Sequence, residues 1–170
     1  MGVQIIRRSE IPGINQITLN GHLHTIGMVK DFRKNPDLNA FIPEEGNISI
    51  SWVHLNRGQI QKLHTHPIDS MIIVCSGASY SIGEKEDYLE EGDMVIVSRG
   101  AHHGFIGAGK NGFWGLSIQF EQHGLYEKEE KPLVDFINTD YPDIDEIDKK
   151  NPHFLAIADN NEFYKKEFEQ

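Results

Sequence analysis

The residues best able to do chemistry are four histidines between Gly58 and His103: the pair His64 and His66, and after a hairpin-like interval the pair His102 and His103. His64 and His66 stand two apart in Ile60-Gln61-Lys62-Leu63-His64-Thr65-His66. This segment reads as a strand, so both imidazoles project from one face. Two neutral nitrogens on one side of a rigid strand are half a site for zinc, iron, nickel, copper or manganese, and a neighbouring strand must supply the rest. The pattern predicts a metal site inside a small β-barrel.

The elements that must position these side chains fill the middle of the chain. Short apolar or alternating runs from Asn47 to Phe120 are broken by Asn56-Arg57-Gly58, Ser76-Gly77, Ile82-Gly83-Glu84, Glu91-Gly92-Asp93, Arg99-Gly100 and Gly107-Ala108-Gly109. Closely spaced strands with such turn signals predict an all-β sandwich or barrel. Expected strands are 48–55, 59–66, 70–76, 79–82, 94–98, 103–106 and 113–120, with the glycines of 104–109 read as a flexible hairpin. Residues 1–46 form an N-terminal arm packed on the barrel or on a second subunit. The arm holds possible strands at 3–7 and 16–19, and Pro36 and Pro43 exclude one long helix in its unassigned part. Residues 47–121 are the barrel core, and residues 122–170 an acidic helical extension. In that extension Pro132 marks a helix start within 131–137, and Asn160 caps a helix over 161–168 whose stripe is Phe163, Tyr164 and Phe168.

A chain of 170 residues can bury a sizeable core as one domain without disulfides. Its formal charge of −10 excludes nucleic acid and anionic membrane as partners, since neutralising phosphates needs clustered Lys and Arg. From residue 127 onward there are 13 acids against 6 bases, so the excess sits at the C-terminal end as a solubilising surface. The single cysteine, Cys75, lies in the apolar run Met71-Ile72-Ile73-Val74-Cys75 and is expected as a packed thiol. Its isolation favours a reducing, cytoplasmic setting. No stretch has signal-peptide character, and none approaches the roughly 20 apolar residues of a membrane span.

Two motifs resemble those of the cupin family, G-x5-H-x-H-x3-E-x6-G and G-x5-P-x-G-x2-H-x3-N. Gly58, His64, His66 and Gly77 hold the spacing of the first, and Gly92, Gly100 and His103 that of the second. The resemblance covers about a quarter of the chain and implies a cupin, jelly-roll β-barrel with the N-terminal arm and C-terminal helical extension appended. It implies one divalent metal on His64, His66 and His103, with Fe(II) or Zn favoured and Ni, Cu or Mn possible. The glutamate of the first motif is replaced by Ser70, and the Pro and Asn of the second by Ser98 and Gly107. Asp69 adjoins Ser70, but on a regular strand it faces the other way. Three neutral ligands leave the ion's full charge to polarise substrate or water. Three-histidine cupins include iron-dependent dioxygenases and zinc-dependent polyketide cyclases, whereas manganese enzymes of the oxalate type usually keep the glutamate. The expected activity is therefore oxygenase-type chemistry on a small organic substrate, with a zinc cyclase or isomerase, or a non-catalytic sensory barrel, as alternatives.

Strand parity supplies the remaining candidates for contact with substrate: His54, Lys62, Ser70 and Gln119. Ser117 and Gln119 share one face, Trp114, Leu116, Ile118 and Phe120 the other; Ser49 and Ser51 oppose Trp52 and His54. The polar faces line either the pocket or solvent. Lys62 shares the face of His64 if pairing is regular, to bind an anion, move a proton or simply meet solvent. His54 is a wall histidine at the pocket's border, His102 points away from the His103 face unless a bulge exchanges them, and Arg99 is a surface turn residue. His22, His24, His123 and His153 have no supporting pattern. No nucleophile elbow, phosphate loop or dinucleotide fingerprint competes. The arm's edge-strand character and the family's habit of pairing through barrel faces lead us to expect a homodimer.

Overall fold

In the computed structural model, which describes residues 2–126 and 132–150, the chain is a curled antiparallel sheet of nine strands with two short α-helices. The strands are β1 (Ile14–Leu19), β2 (His22–Asp31), β3 (Ser49–Leu55), β4 (Ile60–Thr65), β5 (Ser70–Gly83), β6 (Asp87–Leu89), β7 (Met94–Val97), β8 (His103–Gln119) and β9 (Asp135–Phe136); the helices are α1 (Pro36–Phe41) and α2 (Ile144–Lys150). Among the described residues no helix is long and apolar enough to cross a membrane.

Two long strands create the barrel by serving two half-sheets. The 113–119 end of β8 and the 70–77 end of β5 belong to the half ordered β1-β2-β3-β8-β5-β7. Their other ends, 103–106 and 78–83, belong to the half β9-β4-β8-β5-β6. Each strand was expected as two separate ones. The glycines between are the corner that folds one half over the other, not a free hairpin. Gly77 has φ +77°, and a Cβ there would lie 2.0 Å from the Gly112 carbonyl oxygen, so the corner requires glycine.

Residues 14–31 continue the sheet beyond β3. Asn20-Gly21, both at positive φ, closes β1 onto β2 with Leu19 opposite His22, the turn chemistry of a two-residue hairpin. Of the expected strands at 3–7 and 16–19 only the second forms, within β1. Asn35 caps α1 by accepting from the amides of Asp37 and Leu38, with Pro36 in the first turn. The helix expected over 131–137 is replaced by β9, because the free edge of β4 captures the segment: Ile137 N–H donates to the Leu63 carbonyl, and Val134 enters the core. The helix expected over 161–168, and His153, lie outside the described residues.

The apolar interior has two large parts and a small third one, where Ala78 and Ala108 meet Tyr88 and Ile144. Leu55, Ile72, Val74, Leu89, Phe105 and Phe113 fill the floor of the barrel. Ile17, Ile26, Val29, Ile68, Leu125, Tyr126 and Val134 close its other end around the mouth. Cys75 is exposed rather than packed, since strand alternation puts it on the outer face of β5 with Met71 and Ile73.

Candidate metal centre

Strand pairing brings the histidines together. His64 on β4 lies directly opposite His103 at the start of β8, and His66 follows two residues beyond His64 on the same face. All three are buried. Ring centroids are 4.2 Å apart for His64–His103, 4.7 Å for His66–His103 and 5.7 Å for His64–His66. One ligand atom from each lies within 4.8 Å of the others, the only such cluster of three or more potential ligands among the described residues.

Their surroundings hold the rings neutral. Burial drives the His64 pKa down to about 3, helped by the neighbouring His103, and burial takes His103 down to about 4. Burial lowers His66 as well. Nδ1 of His64 lies 2.7 Å from the Lys62 carbonyl oxygen and Nδ1 of His103 lies 2.9 Å from that of Ala101. A carbonyl can only accept, so each Nδ1 carries the proton and each Nε2 presents a lone pair. Nδ1 of His66 is buried without a hydrogen-bond partner. Three neutral imidazoles and an orphaned buried nitrogen at one point fit a divalent ion of the N-ligand type.

The other candidates separate cleanly. Ser70 and Gln119 line the cavity in front of the histidines, with Ser51 and Ser117 beside them. Lys62 does not. An extra residue in β4 between Gln61 and His64 breaks the alternation, so that Gln61 faces the cavity and Lys62 is exposed, with Nζ 3.3 Å from His24 Nδ1. His54 stands on the outer face of β3, its Nδ1 2.7 Å from the Phe113 carbonyl oxygen and its ring stacked on Trp114 at 4.4 Å, and takes no part in the pocket. Asp69 does not replace the missing glutamate. Its carboxylate accepts from the Arg99 backbone at 2.8 Å and guanidinium at 2.9 Å, which hold its pKa below the usual range. His102 is exposed, away from the cluster.

Among the cavity residues that were not expected are Asp31, Gln61 and Tyr126. Asp31 ends β2, and its register opposite Ser51 turns it inward. Tyr126 belongs to a strap that crosses the mouth after β8. The strap is pinned where Leu125 N–H donates to Gln119 Oε1 at 3.0 Å, and Ser49 Oγ donates to the same oxygen at 3.3 Å. With Oε1 so engaged, the Gln119 amide offers the cavity its N–H groups. Burial pushes the Tyr126 hydroxyl up to about 12, against a hydrogen bond from Gln61, so it remains a protonated donor. The space enclosed is small, about 40 Å³ open to the centres of water-sized molecules. The hairpin signal Asn20-Gly21 could have placed β2, and through it Asp31; nothing local announces Tyr126.

Comparison with solved structures finds the same architecture. A cupin-like protein from Thermotoga maritima is 17% identical at TM-score 0.50, over 81% of this chain and 90% of that one. A variant of oxalate decarboxylase from B. subtilis is 15% identical at TM-score 0.54, over 76% of this chain and 31% of that one. No family model matches the chain, and no curated protein matches it in sequence. At these identities the likeness establishes the fold.

Proposed function

We propose that this chain, which has the cupin fold, is a metal-dependent enzyme that acts on a small organic molecule, with His64, His66 and His103 holding one divalent ion. The observation that carries the reading is the convergence of three buried, neutral imidazoles on one point of a cavity that Ser51, Ser70, Ser117 and Gln119 also line. Bound there, Fe(II) would supply dioxygen chemistry and Zn the polarisation of a carbonyl or water.

The chain's own residues then divide the work of binding and proton handling. The Gln119 amide and the Tyr126 hydroxyl are uncharged donors that orient an oxygen-bearing substrate, and the strap carrying Tyr126 restricts water at the mouth. With no carboxylate among the three ligands, oxygenase chemistry is the first reading of the histidine set. Asp31 supports a second reading: a carboxylate lining the same cavity can take and return a proton in a cyclisation, isomerisation or hydrolysis.

Elemental analysis of protein purified without a metal-chelating tag, beside the His64→Ala, His66→Ala double variant, tests the proposal. The expected result is about one ion per chain, absent from the variant while its circular dichroism is retained. Iron directs substrate screening to oxygen consumption, and zinc to the reactions that Asp31 would serve. A wild-type chain that holds no ion even after reconstitution overturns the reading in favour of a recognition barrel.

A further inference from the structure

Gln119 stands in the cross-strand row Ser49–Gln119–Ser70 and lines the cavity that the three histidines enter. It is buried, with an exposure of 8%. The two ends of its carboxamide are told apart by the chemistry of their partners. The Leu125 backbone N–H can only donate, so the atom 3.0 Å from it is Oε1, and Ser49 Oγ donates to the same atom at 3.3 Å. Two donors occupy the two lone pairs of that oxygen. No described residue accepts from Nε2, and this nitrogen is not among the sealed polar atoms, so its N–H groups open into the cavity.

The amide cannot turn over. Exchanging its ends would set Nε2 against the Leu125 N–H and deprive the strap of its acceptor. The strap thereby fixes the polarity of this part of the cavity: a group lying against Gln119 must bring an acceptor.

Size and charge narrow the ligand further. The enclosed space of about 40 Å³ holds roughly three or four water-sized groups. A divalent ion on the histidines attracts an anion, and a carboxylate has two acceptor oxygens, one for the ion and one for an N–H. Asp31, in the adjoining row, is an acceptor that already takes the Arg33 backbone N–H at 2.9 Å, so it offers such a ligand no competing donor.

We infer that Gln119 determines which ligands the centre accepts, and that the ligand is a short-chain carboxylate with one oxygen on the ion and the other on Gln119 Nε2. The inference rests on the metal-centre reading for the first oxygen, and on the bonding of Gln119 Oε1 for the second.

The test titrates the cobalt(II)-loaded chain, followed by its visible absorption at one pH, with acetate and with imidazole. Each probe reaches the ion through one atom. On its far side acetate presents an oxygen acceptor and imidazole an N–H donor, so the two report opposite polarities. Gln119→Met keeps the length of the side chain and removes both polar ends. It should weaken acetate at least about tenfold and leave imidazole within about twofold, with cobalt content unchanged. Acetate binding as tightly to the variant, or both probes weakened alike, overturns the inference. Gln119→Glu, which keeps an acceptor for the strap and inverts the polarity, serves if the methionine variant does not fold. Weaker acetate with tighter imidazole then supports the inference, and any other pattern overturns it. A chain that takes up no cobalt defeats the metal-centre reading instead. In that event calorimetry of the metal-free chain with acetate decides: heat that the substitution of Gln119 abolishes sustains its role as donor, and no heat, or heat that survives the substitution, overturns it.

Discussion

On β3, β8 and β5 the inward positions nearest the mouth carry Ser49, Ser51, Ser70, Ser117 and Gln119, while the outward positions of the same strands carry Ile50, Trp52, Met71, Ile73, Leu116 and Ile118. The outer rows run on to β7, where Met94 and Ile96 are 64% and 81% exposed. Arg8 shields part of this face, its guanidinium 3.7 Å from the Trp114 ring centre and 5.6 Å from that of Trp52, and the Phe32 ring stands 6.3 Å from Trp52. A soluble sheet ordinarily shows the opposite arrangement. Deeper in the barrel the inner face becomes apolar again at Val53, Val74, Leu55 and Phe113, so the reversal is confined to the wall opposite the histidines. Polarity here marks a site, and apolarity does not by itself mark the core.

The largest effect that would break this contrast is on the histidine side. His64→Ala with His66→Ala should abolish stoichiometric metal binding outright, read by elemental analysis, while leaving both faces of the serine-bearing half intact. Next in size is the response of the metal-free chain to acid. The rings of His64 and His103 titrate near 3 and 4 when folded, against 6.5 for a solvated histidine. As pH falls below 6.5 the unfolded chain takes up protons that the folded chain refuses, so stability, fully present above 6.5, drops until the folded rings protonate. The expected slope is roughly 1.4 kcal/mol per pH unit for each ring, measured by urea unfolding with chelator present; a flat profile between pH 6.5 and 4 would contradict the neutral cluster.

Smaller and opposite in sign is the effect of the inner serines. Ser51→Ala or Ser117→Ala should raise stability by up to about 1 kcal/mol, a gain of at most roughly 2–4 °C in melting temperature, because each replaces a hydroxyl that faces the cavity by a methyl group. Loss of stability on both substitutions would show that those hydroxyls serve the fold. The smallest effect belongs to the outer face. Ile73→Thr and Leu116→Thr should each change stability by no more than about 0.5 kcal/mol, since solvent already reaches these side chains. A loss above about 2 kcal/mol would mean that the face is covered in solution, and light scattering would then read whether the expected homodimer covers it.

Much of the candidate metal centre was legible because its signal is local. The His-x-His spacing needs only strand parity, and His103 was singled out by the resemblance of its glycine-flanked motif to that of cupins. The alternations Ser49/Ser51 and Ser117/Gln119 also divided two faces correctly, but left open which face was inside. Parity failed for Lys62, where one extra residue in β4 exchanged it for Gln61. The helical reading of 131–137 failed because an unpaired strand edge outweighs a proline's preference for a helix start. His54 sits on a correctly placed strand, yet its face was misjudged as bordering the pocket.

The sequence by itself determined the strand-rich middle and the shared face of His64 and His66, which depend on residues within a turn or a strand of one another, while the glycines it read as a hairpin became corners only in the fold. The tertiary structure alone decided that the serine face turns inward and the tryptophan face outward. It also decided that Asp31 and Tyr126 join the cavity, that Asp69 is spent on Arg99, and that one β-bulge removes a lysine from the site. These outcomes depend on register and on contacts across the barrel, which are energies of pairing between distant segments and leave no periodic trace in either segment alone.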